Sequence, residues 1–434
     1  MGTPAVKPVL NPASLLQDMF AAAIDAVSPE RTVRHHLTNL SPIAGHTLVL
    51  CIGKAAAQMA SVAEDVLLET IGKQKCSGII VTKHGNELPT RHFSVITAGH
   101  PDPDAHSTHA AHVMLEAASK LTENDRMLVL MSGGASALTL SPADDLSFEN
   151  IMAVNAELLR GGVDITSMNC VRKHISNFNG GRLAKAAGDA EVITFAVSDV
   201  PKDDPSVIGS GPTVPDSTTC QDALNIINRF ELNVTTRIIN HLAKPNAESI
   251  KASDTTWHNK QSFTVIAGNH HALQAAADCA RGQGITPVII DEPIIGDAAM
   301  EAKAFHAIAS SGSYKGKPHP KPCVLIRGGE AVIKLPKDFK GKGGRVGHAA
   351  LAYLIEASNG FALFGATDGS DGTSGHRAIM LSPDTLKTAA AKGLNPSEYL
   401  DVYNSAAFFD AVQAALPEQA TGTNVNEIYM RYIE

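Results

Sequence analysis

Two aspartates stand where an acid can do chemistry. Asp199 follows VITFAVS and Asp368 follows FALFGAT, each just beyond an uninterrupted apolar segment. A carboxylate there can hold a divalent cation or accept the proton of a hydroxyl, the two services that phosphoryl transfer asks of an acid. Asp203 and Asp204 lack that placement and read as loop or cap residues. Glu330 follows the double glycine Gly328-Gly329. Two glycine-bearing segments suit an anion: Ser132-Gly133-Gly134-Ala135-Ser136 after MLVLM, and Gly209-Ser210-Gly211 in GSGPT. Glycine lets backbone N–H groups approach a ligand closely, and a following helix N-terminus adds about half a positive charge. With the cations Lys54, after TLVLCIG, and Arg345, in GKGGR, the set points to phosphate.

The common phosphate and acyl motifs are absent. Every Gly-Lys pair, at Lys54, Lys73, Lys317 and Lys342, lacks the Ser or Thr that a Walker A loop needs. No complete G-x-G-x-x-G follows a strand, and G-x-S-x-G is missing. The histidines show no H-E-x-x-H or similar spacing, so His35, His36, His84, His174, His270 and His271 read as surface or core residues. His100 and His376 lie in loops that suit a site. Trp257 reads as a packing anchor.

These residues need elements to place them. Apolar runs (TLVLCIG, GIIVT, FSVITAG, MLVLM, VITFAV) alternate with alanine-rich helical stretches, which predicts a parallel sheet covered on both faces. In such a sheet ligands gather at the carboxyl ends of the strands, where the candidate residues lie. Helices are predicted over 104–121, 147–160 and 164–177. A second α/β series runs from FTVIAGN through helices over 271–282 and 296–310, the strands CVLIRGGE and AVIKL, and a helix over 344–358. SGSYKGKPHPKP reads as an exposed loop. The polar stretch from Asp216 to Lys260 approaches a boundary, giving α/β domains over residues 1–250 and 260–434 with a cleft between them. The final segment is free to pack on either one.

Composition narrows the classes. The 434 residues carry 36 Lys and Arg against 44 Asp and Glu, a net charge of −8 without a basic cluster, which argues against a nucleic-acid partner. No apolar run reaches the roughly 18 residues that span a bilayer, so no membrane partner is expected. The opening segment fits neither a signal peptide nor the myristoylation pattern, where Val6 replaces the required Ser or Thr. The cysteines 51, 76, 170, 220, 279 and 323 are widely spaced, consistent with reduced, buried thiols in a cytoplasm.

CIGKAAAQMA, TAGHPDPD, MSGGASAL, MNCVRKHISNFNGGRLA, SDVPKDDPSVIGSGPTVPD, GGE, GKGGR, TDGSDG and TGTNVN, in this order, resemble the type II glycerate kinases of the MOFRL family. The resemblance implies a Rossmann-like three-layer α/β/α N-terminal domain, a smaller C-terminal α/β domain and an active site in the cleft. It implies transfer of phosphate from ATP, with Mg2+, to the 2-hydroxyl of D-glycerate. Family positions fall on Lys54, Asp199, Glu330, Arg345 and Asp368. Lys54 and Arg345 would neutralise phosphate or the substrate carboxylate, while Asp199 or Asp368 would hold Mg2+ or act as base. Ser132, Gly133, Gly134 and Ser136, with Gly209, Ser210 and Gly211, would bind substrate or nucleotide. A homodimer is left open.

The chain departs from the family pattern at Val346-Gly347-His348 and at Thr373-Ser374-Gly375-His376-Arg377, where acidic or amide groups give way to His and Arg. Either glycerate remains the substrate, or a related hydroxy-acid meets His376 or Arg377. Two rival classes stand beside the kinase. One is a hydroxypyruvate reductase, which the missing dinucleotide fingerprint opposes; the other is a silent sugar-acid or nucleotide sensor, which retention of all five family positions opposes.

Overall fold

Buried aliphatic runs bounded by Gly, Ser and Asp form the first sheet of the computed structural model, which describes residues 11–254, 260–336, 339–357 and 359–434. Trp257 and Val6 lie outside the described residues. The strands are β1 (Thr47–Ile52), β2 (Cys76–Lys83), β3 (Ser94–Ala98), β4 (Arg126–Met131), β5 (Glu191–Val197) and β6 (Gln261–Ala267), in the order β3-β2-β1-β4-β5-β6. The pairings β3–β2, β2–β1, β1–β4 and β4–β5 are all parallel. Every residue of β1 and β4 is buried, as central strands covered on two faces require. Leu48, Leu50 and Ile52 share a core with the helices Ala105–Ala118 and Arg182–Ala186. Val49 and Cys51, of opposite parity, turn toward the face of helices Pro29–Thr38 and Ala56–Thr70, and His36 packs on Phe195 there. The result is the expected three-layer α/β/α arrangement.

Strands run outward from β1 to β3, and the chain then returns to place β4 on the opposite side of β1. This reversal is a topological switch point, the position beside which open α/β sheets bind their ligands. Four helices, Phe148–Arg160, Ile165–His174, Cys220–Arg229 and Thr236–Leu242, form a lobe with its own apolar core. Their starts follow from sequence: Ser147 and Thr219 make capping boxes, and Asp164 caps through Ser167 N–H.

The chain divides into two compact units, Pro29–Ile266 and a second that joins the described residues up to Ser28 to Ala267–Glu434. In this division the first helix falls with the second half of the chain. The helix Pro12–Ala26 buries Leu15, Leu16, Met19, Phe20 and Ala23 and packs on the helix Asn269–Gly282. Phe20 covers Gly365, where a β-carbon would lie 2.4 Å from its ring. A short amphipathic helix belongs wherever an apolar face will receive it, and here that face is supplied by residues far along the chain.

The second sheet contains β7 (Thr286–Ile289), β8 (Ile294–Asp297), β11 (Cys323–Val332), β12 (Ala362–Ala366), β13 (His376–Leu381), β14 (Ala415–Pro417) and β15 (Glu427–Ile433). The expected exposed loop holds a small hairpin of β9 (Ser313–Tyr314) and β10 (Lys317–Pro318). β7 and β8 pair with β11 in parallel, while β11–β15, β15–β12, β12–β13 and β13–β14 are antiparallel. The last segment therefore sits in the middle of this sheet as β15. CVLIRGGE and the first two residues of AVIKL also prove to be one strand, with no break between them. Gly329 runs at φ +143° with its α-carbon facing β8, where a β-carbon would lie 2.4 Å from Ile294 O. The double glycine admits a close neighbour and does not end the strand.

Candidate active site

The connections leaving β1 and β4 interlock at the switch point. Lys54 N–H donates to Gly133 O at 2.9 Å, Ala55 N–H donates to Ser132 Oγ at 3.1 Å, and Ser132 N–H donates to Ile52 O at 2.9 Å. Three candidate side chains then converge on Gly133 and Gly134. A β-carbon at Gly133 would stand 1.9 Å from Asp199 Oδ2, and one at Gly134 would stand 2.8 Å from His100 Nε2 and 3.4 Å from Lys54 Cγ. Gly134 also adopts φ +89°, the left-handed region that suits glycine, as the chain turns into Ala135–Leu138.

This loop borders a cavity of about 400 Å³ lined by His100, Gly133, Gly134, Ser136, Asn169, Arg172, Asn179, Asp199 and Gly209 among others. Burial, reinforced by the charges of Lys54 and Lys83 and opposed by Asp102, lowers the His100 pKa to about 4, so its ring is neutral near pH 7. Asn179 is buried, and its amide oxygen has no hydrogen-bond partner among the described residues. Ser136 Oγ and Ser210 Oγ meet at 2.9 Å, and Ser210 Oγ donates to Asn169 Oδ1 at 3.2 Å.

A second cluster lies in the other unit. Arg345, at the start of helix Arg345–Glu356, contacts Glu330 Oε1 through Nη1 at 2.5 Å and Glu427 Oε1 through Nε at 2.7 Å. Asp371 accepts from the N–H groups of Val346 and Gly347 at 2.9 and 2.8 Å, serving the first turn of that helix. Asp368 lines the same cavity of about 500 Å³ as Arg345, Asp371, His348, Tyr403 and Glu427. Burial pushes the Glu427 carboxyl up to about 8 against the pull of Arg345 and of the Ala331 N–H, and the like charges of Asp371 and Glu330 add to the rise. Burial would lower Arg345, but Glu427 and Glu330 outweigh it and hold the guanidinium charged.

Of the residues expected from sequence, Lys54, Gly133, Gly134, Ser136, Asp199 and Gly209 therefore gather in one unit, and Glu330, Arg345 and Asp368 in the other. Ser132, Ser210 and Gly211 are buried behind the loop as supports, Gly211 through its carbonyl, which accepts from Gly181 N–H at 2.8 Å. His376 and Arg377 do not reach either cavity: His376 pairs with Asp410 at 2.7 Å, and Arg377 donates to Gln419. Of the altered stretch after TDGSDG, Thr373 thus lines the second cavity, while His376 and Arg377 serve β13 and its neighbours. Asn169, Asn179 and Glu427 were not anticipated. The first two sit in the quoted segment MNCVRKHISNFNGG, and Glu427 announces itself only as a charge opening the apolar run EIYM.

Comparison with known proteins bears on the family and the fold. A model described as a domain of unknown function, DUF4147, matches residues 15–243, and the MOFRL family model matches residues 323–427. The chain is 33% identical to the D-glycerate 2-kinase of Thermotoga maritima over 96% of this chain and 97% of that one. A protein of Agrobacterium vitis provisionally named hydroxypyruvate reductase is 38% identical over 88% of this chain and 98% of its own. The crystal structure of the Thermotoga maritima glycerate kinase superposes with a TM-score of 0.86 at 31% identity, covering 97% of this chain and 99% of that one. Motif order, the switch-point site and full-length similarity in sequence and fold converge: the chain belongs to the glycerate kinase family of phosphotransferases that carries the DUF4147 and MOFRL domains.

Proposed function

We propose that the protein transfers the γ-phosphoryl group of ATP to the 2-hydroxyl of D-glycerate, giving 2-phosphoglycerate and ADP. The observation that carries this reading is the convergence of Lys54, His100 and Asp199 on Gly133-Gly134 at the switch point. A new P–O bond forms to the substrate oxygen as the bond to the β-phosphate oxygen breaks, and the hydroxyl proton passes to a carboxylate. Lys54 compensates the charge on the transferring group, and the loop amides cradle phosphate oxygens. Asp199 supplies the carboxylate in its unit and Asp368 in the other. The amide oxygen of Asn179 suits a substrate hydroxyl as donor. Arg345 offers a guanidinium fork for a carboxylate or phosphate.

The donors at both cavities are hard oxygens, carboxylate and amide, which fit Mg2+. Asp199 or Asp368 would hold it, and it would neutralise the phosphate oxygens of bound ATP. The provisional naming of the Agrobacterium vitis relative gives the test a second arm. Purified protein is incubated with ATP, Mg2+ and D-glycerate, L-glycerate or a four-carbon hydroxy-acid, with product position read by phosphorus NMR, and separately with NADH and hydroxypyruvate. Selective 2-phosphorylation of D-glycerate is expected. Turnover of only a longer acid, or NADH oxidation without phosphorylation, would overturn the reading.

A further inference from the structure

His84 reads as a surface or core residue by sequence spacing, yet the fold brings it to Asp104 and His106. His84 follows β2, and Asp104 caps the helix that carries His106. His84 Nε2 lies 2.7 Å from Asp104 Oδ2, His106 Nδ1 lies 3.6 Å from the same oxygen, and the three ligand atoms are mutually within 4.8 Å. We propose that these residues form a binding site for a transition-metal dication of the Zn2+ or Ni2+ class.

The surroundings prepare each donor. His84 Nδ1 pairs with Thr97 Oγ1 at 3.0 Å, which orients the ring, and Nε2, which donates to Asp104 Oδ2 in the metal-free protein, gives up its proton when a cation takes its place. Asp104 Oδ1 accepts from the N–H groups of His106 and Ser107 at 2.9 and 3.1 Å, which fixes the carboxylate and turns Oδ2 to the histidines. The side chains of His84, Asp104 and His106 are 50%, 35% and 65% exposed, so the rings have room to settle around a cation and water can complete its shell. Metal–ligand bonds of about 2.0–2.2 Å place neighbouring donors roughly 3 Å apart, close to the spacing present. Two imidazoles and one carboxylate favour such metals over Mg2+, which prefers oxygen. The comparable group His174, Cys220 and Glu248 differs, since Lys251 Nζ already lies 2.8 Å from Glu248 and serves as its cation.

Titration calorimetry of the untagged full chain with Zn2+ and Ni2+, in millimolar Mg2+, tests the site. One saturable equivalent is expected. H84Q and H106Q, both exposed, should each weaken it by at least about tenfold while leaving the melting curve in place. The double variant H109Q/H112Q, altering two other histidines of the same helix, should bind as the wild type does. Absence of stoichiometric binding, displacement by Mg2+, full retention in H84Q or H106Q, or loss in H109Q/H112Q would each overturn the assignment.

Discussion

Asp199 and Gly133 occupy each other's space so fully that the loop tolerates no side chain at position 133. Gly133→Ala must displace the carboxylate, and Asp199→Asn and Lys54→Ala remove charge that the proposed transfer uses. All three are expected to lower kcat by about 10²–10⁴-fold with circular dichroism unchanged, as measured in a coupled ADP-release assay. Near-normal turnover in folded D199N or K54A would remove those residues from the chemistry. His100 gives a pH prediction. Its pKa is about 4 in the folded chain against an ordinary 6.5, so between those values the unfolded chain binds a proton that the folded chain refuses. Its contribution to stability is complete above about pH 6.5 and falls as pH drops toward about 4. Proton NMR should show the His100 ring titrating well below the exposed histidines, and a midpoint near 6.5 would contradict its placement beside Lys54. At this scale the sequence was informative about Asp199 and Lys54, since each follows an apolar strand. It was silent on Glu427, because an acid beside a strand looks the same whether it faces water or Arg345.

Among the elements, the segment MNCVRKHISNFNGGRLA shows how a strongly patterned motif divides its work. Lys173 reaches the buried Asp216 at 3.1 Å, and Ser249 and Thr218 complete that carboxylate's hydrogen bonds. Burial would raise Asp216, but Lys173 and these bonds bring it below its ordinary value. Arg182 donates to the carbonyls of Lys173, Asn179, Ala247 and Glu248, tying helix Ile165–His174 to the segment that closes the lobe. The motif is thus largely a structural fastening, with Asn169 and Asn179 turned to the cavity. Lys173→Met should destabilise the protein by about 3–5 kcal/mol in urea denaturation, because Asp216 remains buried without its cation. The double variant K173M/D216L should recover much of that loss; a single variant as stable as wild type would show that the pair is not desolvated. Helix starts at Ser147, Asp164 and Asp104 were legible because capping is local. β8 was not, because a four-residue strand needs its partner to be recognised.

At the scale of the whole molecule, the division into two units does not follow the order of the chain. Phe20, from the first helix, packs on Gly365 in β12. Phe20→Ala should cost about 3–5 kcal/mol. Hydrogen-exchange mass spectrometry should show faster exchange in β12 and helix Asn269–Gly282, with β1, β4 and β5 unchanged; uniform acceleration across both units would count against this division. Sequence by itself determined the alternation of strand and helix, the parallel character of the first sheet and the strand-end placement of Lys54, Ser136 and Asp199, since apolar periodicity and turn residues act over a few positions. Its order of motifs also identified the family. Tertiary structure alone decided that β15 lies mid-sheet, that the double glycine continues a strand, that His376 and Arg377 are engaged elsewhere, and that His84 meets Asp104 and His106. Each of these depends on which distant backbone comes alongside, and strand order and helix docking are settled by the burial of whole faces, a property that no short stretch of residues carries.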